Sequence, residues 1–452
     1  MLSLFEKNAL KIGFVGFGKS SRGVYDYLSR HMKFDATLRS DTSLSLSTLP
    51  KFSKIICDNS ALSGIDEDIL FLSPSVRRDR PELICARERG TVISSDAELF
   101  FEANERDVYI VTGSDGKSTT AYITSELLKC SYGNAIPAGN FGEALAPHLD
   151  DNENTAIVAE LSSFQLNYFT PKSRRAVITN ITENHLNWHK SYSEYISAKK
   201  NALIMTDAPI LSYDNSETRK IAQESGKVFA LFSLEKSEEE LRREIKSELY
   251  LTLTNGYISI SGEPILETSK IKARGRHNIL NFMSAIALSY GKCDRKFIEN
   301  FAKNFVGLPH RCETVGIYSG VKYINSSIDS SPKRTIATLD SLSERVILIL
   351  GGRGKGLDFS ELIPSLKAKT KQIILTGESG LEILEVIKSE VDFHLPYRYV
   401  SDFYDAIDCA TRYAREGDTV LLSPASTSYN CFKNFEERGD AFKRYIKKRN
   451  SK

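Results

Sequence analysis

The stretch that decides the fold is Asp107-Val108-Tyr109-Ile110-Val111-Thr112-Gly113-Ser114-Asp115-Gly116-Lys117-Ser118-Thr119-Thr120. Its opening run of β-branched and aromatic residues predicts a buried strand, and the apolar spacing after Thr120 predicts a helix that continues to about Cys130. A glycine-rich turn separates the two, and a Lys-Ser pair stands at the start of the helix. This order of strand, glycine loop and Lys-Ser pair predicts a cradle for the phosphates of a nucleotide.

Residues of this loop have distinct chemical uses in such a cradle. Gly113 and Gly116 let backbone amides approach phosphate oxygens, while Lys117 neutralises phosphate charge and the Ser118 hydroxyl can bind Mg²⁺. Val111 stands where the common form of the motif has its first glycine. An accidental Gly-Lys-Ser turn without a ligand is therefore the alternative interpretation.

A similar arrangement of strand, turn and helix lies near the N-terminus. Residues 11–15 predict a strand and residues 22–30 a helix, with Gly16-Phe17-Gly18-Lys19-Ser20 between them. Because Ser21 stands where a dinucleotide-binding turn has its third glycine, the turn is weak evidence for a nicotinamide cofactor. It favours either a phosphate at the helix start, where free N–H groups meet the helix dipole, or a tight turn with no ligand. Further short strands are predicted at residues 34–38, 53–57, 69–72 and 91–94.

Polar side chains follow predicted strands further along the chain. Residues 156–159 predict a strand that ends at Glu160, and the strand at 175–180 leads to His185. A carboxylate at the carboxyl end of such a strand is well placed for Mg²⁺.

An Asn-Gly pair at 255–256 predicts a hairpin inside a small antiparallel insertion at 227–266. Strands that alternate with helices, and so predict another parallel sheet, occur at 321–325, 346–350, 372–376, 397–400 and 418–422.

Length and composition limit the class of protein. The 452 residues allow about three domains of ordinary size. Lys and Arg number 60 against 58 Asp and Glu, so the formal net charge of +2 does not point to nucleic acid or an anionic membrane. The 7 cysteines are scattered, which argues against a disulfide framework, and no apolar run reaches membrane-spanning length. We expect a cytoplasmic protein.

Six motifs of the chain carry a family resemblance. They are Thr112-Gly113-x-x-Gly116-Lys117-Ser118-Thr119, Glu160-Leu161-Ser162-Ser163-Phe164-Gln165-Leu166, Asn180-x-Thr182-Glu183-Asn184-His185, Gly275-Arg276-His277-Asn278-x-x-Asn281, Gly307-Leu308-Pro309-His310-Arg311 and Leu422-Ser423-Pro424-Ala425. Their order is that of the Mur ligase family, which the chain resembles over essentially its whole length. The second motif and the closing run from Ser423 to Gly439 are similar to family members that add D-glutamate.

The resemblance implies an α/β fold with three domains. A Rossmann-like domain at residues 1–102 would bind the UDP-substrate, and a Rossmann-like α/β domain at 307–452 would bind the amino acid. Between them, at 103–306, a central P-loop-type ATPase domain with a parallel sheet and a small antiparallel insertion would bind ATP. The implied activity is an ATP-dependent ligase that adds D-glutamate to UDP-N-acetylmuramoyl-L-alanine through an acyl phosphate, in peptidoglycan precursor synthesis. The alternatives are another Mur or folylpolyglutamate synthetase-type amide ligase, and a nucleotide-binding homologue that has lost ligation.

The resemblance also implies roles for individual residues. The implied ATP-binding residues are Gly113, Ser114, Asp115, Gly116, Lys117, Ser118, Thr119, Asn278, Asn281 and Arg311. The implied ligands of two Mg²⁺ ions are Ser118, Glu160, His185 and Lys199, the last three being catalytic together with Lys117. Lys199 would be N6-carboxylated by CO₂, because an ammonium group cannot bind a metal. No nucleic acid or membrane partner is implied, and we expect a monomer.

Two substrate sites complete the implied set. The UDP-substrate would contact Gly18, Lys19, Ser20, Arg39, Ser40, Ser73, Ser75 and Asn140. D-glutamate would contact Ser330, Lys355, Ser428, Tyr429 and Phe435. The chain departs from the family where Arg39-Ser40 replaces an Asp-Thr pair at the uracil, and Tyr429 replaces a leucine. Ser326 and Ile328 replace an aspartate and a lysine, so neither of these roles is carried over.

Overall fold

The computed structural model of the chain describes residues 1–6, 10–41, 49–58, 60–186, 188–226, 228–273, 275–353, 357–428 and 432–450. The chain divides into two compact units, residues 1–305 and residues 306–452. No helix among the described residues is long and apolar enough to cross a membrane. The α/β class predicted from the sequence is confirmed, because helices alternate with mostly parallel strands in both units.

The first part of unit one is a parallel sheet. Its strands are β1 (Lys11–Val15), β2 (Asp35–Ser40), β3 (Lys54–Cys57), β4 (Ile69–Leu72) and β5 (Val92–Ser94). Its helices are α1 (Lys19–His31), α2 (Pro81–Glu88) and α3 (Asp96–Ala103). The strands lie in the order β3-β2-β1-β4-β5, and Ile12 and Phe14 of β1 share a core with Val24 and Leu28 of α1. The predicted strands are confirmed to within two residues at each end.

The second part of unit one is built on a larger sheet. Its strands are β6 (Val108–Thr112), β7 (Asn134–Gly139), β8 (Thr155–Glu160), β10 (Arg175–Ile178), β12 (Pro209–Ser212), β13 (Val228–Ser233), β14 (Ser247–Thr254), β15 (Tyr257–Ile260) and β16 (Glu263–Glu267). Their order is β16-β15-β14-β13-β12-β10-β6-β8-β7. The short strands β9 (Lys172–Ser173) and β11 (Met205–Thr206) pair separately. The helices are α4 (Lys117–Tyr132), α5 (Ser163–Leu166), α6 (Tyr192–Ile204), α7 (Ser216–Ser225), α8 (Glu238–Glu244), α9 (Arg276–Leu288) and α10 (Arg295–Asn304).

The predicted antiparallel part extends this large sheet at one edge. Strands β14, β15 and β16 pair antiparallel, whereas β13 and β14 pair parallel. Asn255 and Gly256, between β14 and β15, have φ angles of 49° and 80°. Positive φ at both central residues is what a two-residue hairpin turn requires, so the Asn-Gly prediction is confirmed.

Unit two is a six-stranded sheet with helices. Its strands are β17 (Glu313–Tyr318), β18 (Val321–Asn325), β19 (Val346–Gly352), β20 (Thr370–Thr376), β21 (Tyr397–Tyr399) and β22 (Thr419–Leu422), in the order β17-β18-β22-β19-β20-β21. Its helices are α11 (Pro332–Asp340), α12 (Ile363–Lys369), α13 (Gly377–Ser389), α14 (Phe403–Tyr413) and α15 (Phe435–Asn450). The five predicted strands are present, and the sequence analysis missed β17, which pairs antiparallel at the edge. Because β18, β22 and β19 are adjacent and parallel, the loops after them meet at one end of the sheet.

The predicted boundary near residue 103 lies inside unit one. Gly23 of α1 faces Ala144 so closely that a Cβ at residue 23 would lie 2.5 Å from the Ala144 Cβ. The Asp96 carboxylate accepts hydrogen bonds from the backbone N–H groups of Leu145 (2.9 Å) and Ala146 (2.8 Å). These contacts join residues on the two sides of that boundary. The division into three domains stays a prediction.

Candidate active site

The phosphate loop joins β6 to α4 and depends on two glycines. Gly113 has a φ of 144° and Gly116 a φ of 77°, both in the range that L-residues rarely adopt. Space is also lacking, because a Cβ would lie 1.9 Å from Thr179 Oγ1 at residue 113 and 2.3 Å from Asn281 Oδ1 at residue 116. Gly116 is the N-cap of α4 and has no side chain with which to cap the helix. The first amides of α4 are therefore suited to an anion.

Side chains around the loop hold its shape. Thr179 Oγ1 donates to Asp115 O (2.6 Å), and Asn180 Oδ1 accepts from Asp115 N (3.0 Å). The Ser114 hydroxyl contacts Tyr195 Oη at 2.7 Å and the backbone of Thr182. The predicted ATP-binding residue Ser114 thus braces the loop with its side chain. Lys117 Nζ donates to Ser114 O at 2.7 Å, so the predicted phosphate lysine lies across its own loop.

Glu160 stands at the end of β8, the strand next to β6 in the sheet. Its side chain is buried, and its Oε1 accepts a hydrogen bond of 2.7 Å from Asn140 Nδ2. Its Oε2 is also buried and has no hydrogen-bond partner among the described residues. Since a buried carboxylate oxygen is costly to leave unsatisfied, a cation fits this position. Magnesium is suitable because it prefers oxygen ligands and keeps phosphate and water among them.

Lys199 of α6 lies beside the same loop. It is 2 % exposed, and its Nζ donates to Gly113 O at 2.7 Å and lies 4.6 Å from the centre of the Tyr195 ring. Burial, followed by the nearby charge of Lys117, lowers the pKa of Lys199 well below its ordinary value. The neutral amine is the form of lysine that reacts with CO₂, so the environment suits the modification that the resemblance implies.

His185 is exposed and has a positive φ of 57°. Its ring lies 5.0 Å from the ring of Phe164 and 6.4 Å from that of Tyr195, which also contacts Lys199. The described residues contain no group of three or more His, Cys, Asp or Glu side chains arranged so that they could hold a metal ion. A metal at Glu160 would therefore need ligands of other kinds, such as the Ser118 hydroxyl, phosphate oxygens and water.

The two predicted adenine-side amides lie together at the start of α9. Asn281 Nδ2 donates to Asn278 Oδ1 at 3.2 Å, as expected for side chains one helical turn apart. Asn281 Oδ1 in turn accepts from Thr120 Oγ1 at 3.4 Å. The same oxygen would lie 2.3 Å from a Cβ at residue 116. This amide pair thus borders the phosphate loop. Arg311, the remaining predicted ATP residue, belongs to unit two and is exposed.

A cavity of about 230 Å³ lies at the carboxyl ends of β1, β2 and β4. The predicted residues Ser40, Ser73 and Ser75 line it, and so does Asp41. Lys19 lies at the start of α1, where its Nζ donates to the carbonyls of Asn140 (3.2 Å) and Gly142 (2.8 Å). The residues predicted for the UDP-substrate therefore divide between the cavity and the start of α1.

The structure corrects the predicted role of the Arg39 side chain. Arg39 is fully buried, and its Nε and Nη2 donate to the two carboxylate oxygens of Glu67 at 2.8 and 3.0 Å. Its remaining donors bind backbone carbonyls of residues 61, 63 and 64. Arg39 does not line the cavity, and its guanidinium group has no donor left for uracil. Asp41, which the sequence analysis missed, follows the strand directly and opens an Asp-Thr pair at 41–42; Thr42 lies outside the described residues.

Three of the five predicted D-glutamate residues are described in unit two. Ser330 follows β18 and Ser428 follows β22, while Phe435 begins α15. The backbone carbonyl of Phe435 accepts a hydrogen bond of 2.9 Å from Ser327 Oγ. Lys355 and Tyr429 lie outside the described residues.

A buried aspartate in the loop after β18 was missed by the sequence analysis. Asp329 accepts hydrogen bonds from Ser423 Oγ (2.7 Å) and Thr338 Oγ1 (2.8 Å). Burial raises the pKa of this carboxyl group. It stands three residues after Ser326, the position where the family has its aspartate, and Ser326 Oγ accepts from Cys312 N at 3.2 Å. The only sequence signal was an acid within a serine-rich run after a strand.

Comparison with known proteins covers most of the chain. Residues 111–289 match the family described as the Mur ligase middle domain, and residues 310–426 match the one described as the Mur ligase, glutamate ligase domain. The UDP-N-acetylmuramoylalanine–D-glutamate ligase of Acetivibrio thermocellus is 37% identical over 452 residues, 96% of each chain. The protein with the same name from Clostridium kluyveri is 34% identical over 450 residues, again 96% of each chain.

Solved structures show the same fold at low sequence identity. A UDP-N-acetylmuramate–alanine ligase from Thermotoga maritima aligns with a TM-score of 0.58 at 19% identity, over 98% of this chain and 99% of that one. A pseudomurein peptide ligase type C from Methanothermus fervidus aligns with a TM-score of 0.52 at 15% identity, over 97% and 99% of the two chains.

Proposed function

Because the chain belongs to the Mur ligase family, we propose that it is an ATP-dependent ligase that adds D-glutamate to UDP-N-acetylmuramoyl-L-alanine during peptidoglycan precursor synthesis. The observation that carries this proposal is the 37% identity, over 96% of both chains, to a protein named for that reaction. The phosphate loop and the unsatisfied carboxylate oxygen of Glu160 support the ATP-dependent part.

The reaction activates a carboxylate that is otherwise a poor electrophile. An oxygen of the alanine carboxylate attacks the γ-phosphorus of ATP, the bond to the bridging oxygen breaks, and ADP leaves. The amine of D-glutamate then attacks the acyl phosphate, phosphate leaves, and an amide forms with loss of a proton. The first step brings two anions together, so positive charge and aligned N–H groups must lower its barrier.

We assign ATP and its metal ions to the loop after β6, the end of β8 and single residues of other elements. Lys117 and the first amides of α4 would hold the phosphates, with Asn278 and Asn281 on the adenine side and Arg311 as a further cation. Ser118 and Glu160 would hold one Mg²⁺, and His185 and Lys199 a second. Bound there, the metal supplies charge neutralisation between the carboxylate and the γ-phosphate.

Carboxylation of Lys199 is part of this proposal. The neutral amine would add to CO₂ and release a proton, which gives an anionic oxygen ligand. In protein equilibrated with ¹³C-bicarbonate, we expect a ¹³C NMR carbamate signal that is lost in Lys199→Ala. Lys200→Ala is the matched control, because Lys200 is its partly exposed neighbour and pairs with Glu224. A signal that survives in Lys199→Ala and disappears in Lys200→Ala would move the role to the adjacent residue.

The UDP-substrate is assigned to the cavity of unit one and the turn before α1. Ser40, Ser73 and Ser75 would contact the nucleotide, joined by Asp41 in place of the Arg39 side chain. Gly18, Lys19 and Ser20 would meet the diphosphate at the start of α1, with Asn140 nearby.

We further propose that the protein acts as a monomer in the cytoplasm. Native mass spectrometry would test the first point and cell fractionation the second.

An amino-acid panel tests the proposed function. Purified protein with ATP, Mg²⁺ and UDP-N-acetylmuramoyl-L-alanine should release ADP and phosphate with D-glutamate. Release with meso-diaminopimelate or L-lysine instead would favour another amide ligase of the same family. The replacement of the family aspartate by Ser326 favours a second candidate, a nucleotide-binding homologue without ligation. That protein would bind ATP and release no ADP with any amino acid.

A further inference from the structure

A buried arginine in unit two has no role in the assignments above. Arg438 of α15 is 2 % exposed. Its Nε donates to Ser327 Oγ at 2.9 Å, and its Nη2 donates to Ser327 O at 2.9 Å and Ser426 O at 3.1 Å. Ser327 follows β18 and Ser426 follows β22, which are neighbours in the sheet. One guanidinium group therefore connects the loops after two adjacent strands, at the end of the sheet where ligands bind.

The third nitrogen of this group is unsatisfied. Nη1 is buried and has no hydrogen-bond partner in the described part of the chain. It lies against the end of β19, because a Cβ added at Gly352 would be 3.0 Å from it. Buried N–H groups are nearly always paired in proteins, so an unpaired one calls for an explanation.

The charge of Arg438 is also unpaired. Its three hydrogen bonds go to a hydroxyl and two carbonyls, with no described carboxylate among them. Burial lowers the pKa of Arg438 to about 10, so the group still carries its charge at neutral pH. Asp329 acts on it through space, but that carboxylate accepts its hydrogen bonds from Ser423 and Thr338. A buried cation with no hydrogen-bonded carboxylate, at a ligand-binding edge, favours a ligand with carboxylates.

Hydrogen bonds link Arg438 to the segments that contain Phe435 and Ser428, two residues assigned to D-glutamate. Ser327 Oγ, which accepts from Arg438 Nε, itself donates to the backbone carbonyl of Phe435 at 2.9 Å. Ser426, whose carbonyl accepts from Nη2, stands two residues before Ser428. Loss of the guanidinium group would release both segments together.

We propose that Arg438 is a positioning residue of the amino-acid site, which fixes the Phe435 and Ser426–Ser428 segments and supplies the positive field for a dicarboxylate. This inference rests on the proposed function. A lysine cannot replace the arginine here, because one ammonium group lacks the planar fork that reaches Ser327 and Ser426 at once.

The test compares Arg438→Lys with Arg444→Met in the full-length protein. Arg444 is an exposed arginine of the same helix and serves as the matched control. For Arg438→Lys we expect the KM for D-glutamate to rise about tenfold or more, while the KM values for ATP and the UDP-substrate change by less than about twofold. Arg444→Met should leave all three unchanged. A folded Arg438→Lys with an unchanged KM for D-glutamate, or with equal rises for all three substrates, would overturn the inference.

If circular dichroism shows that Arg438→Lys does not fold, a second variant tests the inference. Ser327→Ala keeps the arginine and removes only the hydroxyl between it and Phe435. We expect a selective rise of about threefold in the KM for D-glutamate. An unchanged KM would then overturn the inference. A wild-type protein that does not turn over D-glutamate contradicts the proposed function instead, so the two failures are distinguishable.

Discussion

Two turns of unit one share a local design and differ in their surroundings. In each, a parallel strand leads into a glycine-rich turn, and a lysine is the first residue of the next helix: Lys19 in α1 and Lys117 in α4. Each helix has a glycine at its N-cap and no capping side chain. Lys117 Nζ stays within its own loop, on Ser114 O, whereas Lys19 Nζ reaches the carbonyls of Asn140 and Gly142.

The two N-cap glycines show what this difference means. Gly116 has a positive φ and no room for a side chain, whereas Gly18 has a φ of −85° and no heavy atom within 4 Å of the point where a Cβ would lie. The second loop therefore requires glycine at its N-cap, which lets backbone amides come close to a reacting phosphate. The first turn has this room only at its N-cap, because Gly16 in the same turn has a φ of 72° and a Cβ there would lie 2.7 Å from Ser73 Oγ. Lys19 connects this turn to Asn140, the residue that binds Glu160. We infer that the second turn serves chemistry and the first serves substrate binding.

The largest effect is expected from Lys117→Ala. Loss of the cation that we assign to the ATP phosphates should lower turnover by about a thousandfold, because it removes charge stabilisation in the transition state. Thermal unfolding should change little, since the side chain is only half-buried. Lys129→Ala, at the other end of α4, is the control and should leave ADP release unchanged. Turnover near the wild-type rate in Lys117→Ala would contradict the inference that the second turn serves chemistry.

A pH effect is expected at Asp96, which binds residues 145 and 146 behind the first turn. Burial raises the pKa of Asp96 from 3.8 to about 6, although the two N–H groups oppose this. The folded state then holds this proton more tightly than the unfolded state. Stability from this group is therefore full below about pH 4 and is lost as the pH rises through 6, a change of about 3 kcal/mol.

Urea unfolding of wild type and Asp96→Asn between pH 4 and pH 7 measures this contribution. The asparagine does not titrate, so the free energy of unfolding of wild type should fall by about 2.5 kcal/mol relative to the variant over that range. Parallel profiles for the two proteins would show that the carboxyl group titrates normally.

Gly116→Ala should introduce backbone strain in the second turn that the same change at Gly18 does not introduce in the first. The substitution places a Cβ at positive φ and 2.3 Å from Asn281 Oδ1, and we expect it to cost about 2 kcal/mol of stability. Gly18→Ala is the matched control, for which we expect a change below about 0.5 kcal/mol. Chemical denaturation measures both. Equal costs at the two positions would contradict the preformed geometry of the phosphate loop.

Lys19→Met should give the smallest effect on catalysis. We expect the KM for the UDP-substrate to rise about tenfold, the value of one charge-assisted contact, with the KM for ATP unchanged. Steady-state kinetics with each substrate varied in turn would measure this. A change confined to ATP would show that Lys19 acts through Asn140 and Glu160 rather than on the UDP-substrate.

Local sequence patterns predicted much of the fold. Runs of β-branched residues located many of the strands, although β7 and β12 of the large sheet were not predicted, and the glycines at 113, 116 and 256 marked positions that need positive φ. The edge strand β17 was missed because most of its side chains are partly or fully exposed and lack a buried-strand pattern. Positive φ and strand burial are local properties, so local patterns were enough to find them.

Partners distant in the sequence could not be predicted in this way. Arg39 stands at the end of a strand buried on both faces, and only its pairing with Glu67 shows that it points inward. Arg438 follows two glutamates in a strongly charged helix, so its sequence context predicts a solvent-exposed side chain. Its contacts are with Ser327, more than one hundred residues earlier, and with the loop after β22. Side-chain direction at these sites depends on tertiary contacts.

The most direct test of the account follows oxygen from the substrate into phosphate. UDP-N-acetylmuramoyl-L-alanine labelled with ¹⁸O in the alanine carboxylate is turned over with ATP and D-glutamate, and the released phosphate is examined by mass spectrometry. Attack of the carboxylate on the γ-phosphate predicts one ¹⁸O in each phosphate released. Phosphate without ¹⁸O, alongside an amide product that forms normally, would contradict the acyl phosphate and the role given to the Lys117 loop.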